Sequence, residues 1–123
     1  MKTILVLCTI SLVVGAVLIW YMVSLPNEYG AFTGVPKAEV AALIERPKDF
    51  LHTTVAIEGT VRKQCTTMGC YFFFLSDEKV LRVDLEEITM VAPRKNGHRA
   101  RVEGQIVPYG DGYQFVASAV EFE

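Results

Sequence analysis

Residues 54–64, TVAIEGTVRKQ, decide the fold. Val55, Ile57, Gly59 and Val61 fall on one side of an extended chain. Thr54, Ala56, Glu58, Thr60 and Arg62 fall on the other. A period of two is the signature of a half-buried strand. Working outward, residues 71–76 (YFFFLS) predict a second strand, apolar on both faces, and Asp77-Glu78 a turn. Residues 80–85 (VLRVDL) predict a third strand with Leu81, Val83 and Leu85 inward. Residues 86–93 read as a loop or one helical turn, and 94–97 as a turn with an Asn-Gly signal. Residues 98–107 predict a fourth strand with Ala100, Val102 and Ile106 inward. Residues 108–112 turn the chain, and 113–122 form a fifth strand.

Before the strands, residues 37–45 (KAEVAALIE) carry Val40, Ala41, Leu43 and Ile44 at helical spacing between Pro36 and Pro47. Proline is favoured at a helix start and stops a helix further on, so one short helix is expected there. Five strands, a connector between the third and fourth, and Gly59 and Gly104 near strand centres point to a small closed barrel. The five-stranded oligonucleotide/oligosaccharide-binding (OB) barrel fits best. An open antiparallel sheet packed by the helix is the alternative.

Residues 3–23 are an uncharged apolar run ending in Trp20, Tyr21, Met22 and Val23. At about 1.5 Å per residue this run matches a hydrocarbon core of roughly 30 Å. Trp20 and Tyr21 are expected at the membrane interface. A cleaved signal usually has a shorter apolar region and a small-residue cleavage site, which SLP at 24–26 does not supply. A transmembrane anchor over residues 1–24 is therefore preferred to a cleaved signal or a buried helix. Cys8 reads as a small apolar residue facing lipid or a partner helix. Lys2 precedes the run and Glu28 is the first charge after it, which favours a cytoplasmic amino terminus. Residues 25–36 contain Pro26, Pro36, Gly30 and Gly34 and read as a linker along the membrane, with Tyr29 and Phe32 as interfacial contacts. Residues 37–123 form the domain.

That domain has 11 Lys and Arg against 13 Asp and Glu. A near-neutral, slightly acidic surface argues against general nucleic-acid binding. Arg62-Lys63 and Arg94-Lys95 with Arg99 and Arg101 read as solvated strand ends. Asp84, Glu86 and Glu87 cluster after the third strand without a cleft to shift their pKa, and read as solvated. No nucleophile triad, phosphate loop or dinucleotide fingerprint is present. No enzyme activity and no cofactor are expected.

The stretches ALIERPKDFLHTTVAIEGTV, CTTMGCYFFFLSDEKVLRVDL and RARVEGQIV together resemble bacterial membrane-anchored or extracytoplasmic OB-fold proteins of unassigned function, the tRNA-anti-like group. The resemblance covers residues 41–122 and rests most on the Cys-x4-Cys hairpin with glycine before its second cysteine. It implies a fold and a compartment, the bacterial inner membrane with the domain in the periplasm, and no activity. Anchor plus barrel is also similar to the haem chaperone of cytochrome c maturation. That chaperone holds haem through a histidine near the barrel's end, and the FVASAVEFE terminus here has none.

Cys65 and Cys70 flank four residues between the first two strands. Across a hairpin mouth they are within reach of a disulfide, which an oxidising compartment favours. The alternatives are a soft-metal site for copper, with Met68 adding a thioether, and a redox-active pair. His52 and His98 read as ordinary turn and surface residues. In the second strand, Tyr71 and Phe73 share one face and Phe72 and Phe74 the other. Phe72 and Phe74 are taken as the partner-contact pair. The expected function is contact with other subunits of a membrane complex, in an accessory or assembly role. The alternative is a copper or redox carrier using Cys65 and Cys70.

Overall fold

The computed structural model describes residues 1–23, 25–65 and 70–123. Helix α1 (Lys2–Val23) precedes a mainly-β domain. The domain contains β1 (Glu28–Gly30), α2 (Val40–Glu45), a 3-10 turn (Pro47–Phe50), β2 (Val55–Thr60), β3 (Tyr71–Ser76), β4 (Lys79–Asp84), β5 (Arg99–Tyr109) and β6 (Gly112–Phe122).

Helix α1 is apolar all round, and none of its spanning window is buried against the domain. It is therefore not a core helix. Its length and composition are those of a segment able to cross a membrane, as an anchor or as a signal sequence.

The six strands form one sheet in the order β2-β5-β6-β4-β3, with β1 added against β6. All pairs are antiparallel except β4 with β6, which run parallel at Val83–Phe115 and Asp84–Val116. The two end strands of the path meet past the end of β2. There Arg62 and Phe73 exchange both backbone hydrogen bonds, at 3.0 and 2.8 Å, and Cys65 N–H donates to Tyr71 C=O at 3.0 Å. Among the described residues one bridge, with the Cys65–Tyr71 hydrogen bond beside it, holds this seam, where a closed barrel would have a ladder. The sheet is an open one with OB-like strand order.

The inner face is packed by Phe72, Phe74, Phe115 and Phe122 with Ile57, Val61, Leu81, Val83, Leu85, Val102, Ile106 and Val120. Phe72 and Phe74 lie 5.1 Å apart between ring centres, and Phe72 and Phe122 5.8 Å. A buried Val, Leu or Phe contributes roughly 1.5–3 kcal/mol, so this cluster dominates the domain's stability. Val40 and Leu43 of α2 are buried on one end of it. Two strand glycines permit close approach. A Cβ at Gly59 would lie 2.7 Å from Phe74 Cδ1, and one at Gly104 would overlap Val116 O. At Glu103/Gly104 the β5–β6 register slips by a bulge.

Two expectations are corrected. The helix does not begin at Lys37. Ala38 N–H donates to Ala56 O and Ala56 N–H to Pro36 O, so this stretch lies extended on β2, and α2 starts at Val40. The linker expected over residues 25–36 is instead docked on the domain. Residues 28–30 pair with Ala119–Glu121 of β6. Tyr29 packs against the core, and Phe32 lies under the Arg101 guanidinium at 4.2 Å. Both rings are half-buried, one held at the sheet edge and the other by a cation.

Candidate functional site

The amino-terminal arm is fastened by Glu103, a buried carboxylate beside the β5 bulge. Glu103 Oε1 accepts from Thr33 N–H at 2.8 Å and Thr33 Oγ1 at 3.0 Å, and Oε2 accepts from Gly34 N–H at 3.2 Å. Burial alone would raise this carboxyl's pKa. Donation from Thr33, Gly34 and Val35 outweighs burial and holds it below the usual carboxylate range. The carboxylate is satisfied entirely by its own chain. It is a latch.

The Tyr29 hydroxyl, on the same arm, is buried with no hydrogen-bond partner among the described residues. Burial first, and the nearby Tyr21 second, push its pKa up.

The β3–β4 hairpin carries the second feature. Its two-residue turn, with Asp77 at φ 55°, fixes the register Tyr71–Asp84, Phe72–Val83, Phe73–Arg82, Phe74–Leu81 and Leu75–Val80. Alternation then sends Phe72 and Phe74 inward with Val83 and Leu81. Both phenylalanines are fully buried, so the pair expected to contact a partner cannot do so. The reason is register: Leu81 and Val83 already face the core and carry their cross-strand partners with them.

The opposite face holds the half-exposed Tyr71, Phe73 and Arg82, with Leu75 and Val80 exposed near the hairpin tip. The Tyr71 and Phe73 rings meet edge-on at 6.1 Å. The Arg82 guanidinium lies 4.1 Å from the centre of the Tyr71 ring and 5.2 Å from that of Tyr109, at the β5–β6 turn. Arg82 Nε donates to Gln114 Oε1 at 3.1 Å. None of the three ion pairs among the described residues includes Arg82. Asp84, across from Tyr71, uses Oδ1 to accept from Glu86 N–H at 2.9 Å. Sequence reasoning missed Arg82, Tyr109 and Gln114 as a group, because three separate strands bring them together.

Cys65 N–H donates to the carbonyl of Tyr71, the neighbour of Cys70, and the expected disulfide does not join the two cysteines. Burial, then the neighbouring Cys65 by charge and hydrogen bond, then Glu86, push the Cys70 thiol up. Met68 lies outside the described residues. Among the described residues, no three His, Cys, Asp or Glu side chains gather as a metal site. His52, at φ 62°, and His98 are both exposed.

A cavity of about 550 Å³ lies between α2 and the β3–β4 turn, lined by Ala41, Ile44, Glu45 and residues 76–79. Its charged groups, Glu45, Asp77, Glu78 and Lys79, are all exposed to solvent.

No family model matches the chain, and no curated protein matches it. A solved structure, described as "Structure of the hypothetical protein ygiW from E. coli", is similar, with a TM-score of 0.50 at 11% identity. The alignment covers 76% of this chain and 99% of that one. The domain has an OB-like fold. In OB domains the face of the second and third barrel strands, with the adjoining turns, is where ligands bind. In this chain β3 and β4 are the second and third of the five long strands, and Tyr109 ends β5 at its turn into β6.

Proposed function

We propose that this protein is a single-pass, membrane-anchored, extracytoplasmic OB module that works by protein contact. It serves as an accessory or assembly subunit of a bacterial inner-membrane complex, with its amino terminus in the cytoplasm and its domain in the periplasm. The observation that carries the reading is the outer β3–β4 face. Tyr71, Phe73, Tyr109 and Arg82 are residue types enriched at protein interfaces, and they stand together where OB domains bind. The site is built for contact, and no catalytic step is assigned to it. The near-neutral domain makes nucleic acid a poor ligand.

The test is a photo-crosslinking side chain placed at Phe73 of the full chain, at native expression level in its own membrane. A discrete crosslinked membrane protein that also co-purifies in mild detergent is expected. A chain that stays uncrosslinked and migrates alone overturns the reading.

A copper or redox carrier using Cys65 and Cys70 is the second reading, supported by the influence of Cys65 on the Cys70 thiol. Thiolate chemistry wants a lowered thiol pKa, and Cys70 is shifted the other way. This reading requires about one Cu(I) per reduced chain, lost in Cys65→Ser. A reduced chain that binds no copper removes it.

A further inference from the structure

Arginine guanidinium groups that serve structure normally end on a carboxylate or a backbone carbonyl. Arg101 does so, reaching Glu121 at 3.4 Å, and Arg99 lies 3.9 Å from Glu58. Arg82 differs. Its Nε is taken by the neutral Gln114, and aromatic rings hold the planar group at 4.1 and 5.2 Å. This arrangement fixes the plane of the guanidinium without neutralising it. The Nη donors of a guanidinium so fixed form a fork matched in geometry to a carboxylate. Asp84 on the same face forms no ion pair with Arg82 among the described residues; its Oδ1 accepts from Glu86 N–H.

We propose that Arg82, clamped by Tyr71, Tyr109 and Gln114, binds a side-chain carboxylate from an acidic segment of a partner protein. Phe73 and Tyr71 supply apolar contact beside it. The proposal rests on the interaction reading above and names the chemistry of the partner.

Three observations select a protein carboxylate. A single held cation reads one acidic group, whereas a polyanion needs a row of charges. The half-exposed Phe73 and the exposed Leu75 and Val80 extend the face with apolar surface, which suits a peptide segment. The site also stands off from the tether. Phe122 N–H donates to Asn27 O at 2.7 Å, which places the last residue of β6 beside the start of the arm. Gln114 lies eight residues back along β6, a path of roughly 26 Å at about 3.3 Å per residue. Headgroup attraction reaches only about 8 Å at physiological ionic strength, so a lipid reaches Arg82 only where β6 lies along the bilayer, which the vesicle titration below tests.

The test uses the full chain, ¹⁵N-labelled, in neutral detergent micelles. It is titrated with a capped tripeptide of glutamate between two leucines, followed by amide and arginine Nε–H resonances. The probes compared are the same tripeptide with glutamine, inorganic phosphate, a glucuronate oligosaccharide and vesicles containing anionic phospholipid. The expected result is salt-sensitive binding of the glutamate peptide, with shifts centred on Arg82, Tyr71 and Tyr109. Binding is expected to fall roughly tenfold for the glutamine peptide and for Arg82→Gln, and less for Arg82→Lys. Arg94→Gln serves as a charge control and is expected to bind as the parent does. Amide dispersion reports that each variant is folded. Equal binding of the glutamate and glutamine peptides, unchanged binding by Arg82→Gln, absence of peptide binding, or preference for phosphate, glucuronate or vesicles each overturns the proposal. A crosslink at Phe73 that persists unchanged in Arg82→Gln would leave the interaction reading standing and remove this one. Loss of all crosslinking in the parent chain removes the interaction reading itself.

Discussion

Glu103 and Arg82 are both charged, both on strands and both held by neighbours, yet their surroundings differ in kind. Glu103 is buried and receives its hydrogen bonds from Thr33 and Gly34 of the same chain. Arg82 is half exposed, held by two rings and one amide, and makes no ion pair among the described residues. A charge satisfied internally holds a fold together. A charge oriented but left uncompensated is available to something outside. On the proposed reading, the arm edge is the structural side of this domain and the β3–β4 face its contact side.

The contrast breaks most visibly at Gly104. The bulge beside Glu103 brings β5 against β6, and a Cβ at Gly104 would overlap Val116 O and lie 2.9 Å from Ala117 Cα. Both contacts are with backbone, which cannot swing aside. Gly104→Ala is expected to cost on the order of 3 kcal/mol or more, a class of strain that single substitutions seldom reach. Urea denaturation of the full chain in detergent measures it. A loss below about 1 kcal/mol would mean that the strands part easily there.

Glu103→Ala comes next. It leaves the Thr33 and Gly34 N–H groups without their acceptor, and a buried donor left unpaired costs about 1–3 kcal/mol. The arm should become a protease target while β2 to β6 remain folded. Acid should mimic the substitution in the parent chain. The folded-state pKa of Glu103 lies below its unfolded value of about 4.3, so its contribution is fully present above that pH. As pH falls through the folded-state value, the contribution is lost. Glu103→Gln should flatten that part of the stability-versus-pH curve. An identical acid limb in parent and variant would show that the latch carries no charge-dependent stability.

Closing the Cys65–Cys70 pair is a smaller effect. Two thiols lose two protons and two electrons to a thiol–disulfide oxidant, and the mass of the intact chain falls by about 2 Da. A short loop gains on the order of 2 kcal/mol in the chain-entropy account. Thiol labelling read by mass, before and after reductant, decides whether the pair closes in the native membrane. While the pair is reduced, the raised Cys70 pKa favours the folded state below the unfolded thiol value of about 8.5 and is lost as pH rises through the folded one.

Alternation made the five long strands legible in sequence. Residues 71–76 appear as a strand at the expected bounds, and the inward residues Leu81, Val83, Ala100, Val102 and Ile106 are buried. The aromatic strand misled because both of its faces are apolar, so its phase was ambiguous on its own. Its neighbour resolves it. A two-residue turn at Asp77-Glu78 pairs Phe74 with Leu81 and Phe72 with Val83, which sends both phenylalanines inward. The docked arm was not legible. Residues 28–30 are too few for a period, and Glu103 shows its role only when Thr33 arrives from seventy residues away. The Arg82 cluster was hidden for the same reason. Tyr71, Tyr109 and Gln114 meet Arg82 through strand order, and strand order is not a local property.

The smallest expected effect is the most telling, because it is measured on the same scale as Glu103→Ala. Arg82→Ala removes a charge and two ring contacts, and leaves Gln114 Oε1 without this donor. An exposed cation–ring contact contributes about 0.5–1 kcal/mol. Solvent screens a half-exposed charge, and truncating Arg82 opens the buried Gln114 amide beneath it to water. The stability of Arg82→Ala should therefore fall by no more than about 1 kcal/mol by urea denaturation. Its crosslinking through Phe73 should nevertheless fall sharply. A residue whose removal leaves the fold intact and abolishes contact was never holding the fold. If Arg82→Ala instead destabilises the domain as much as Glu103→Ala does, the two charges do the same job, and the distinction between a structural edge and a contact face collapses.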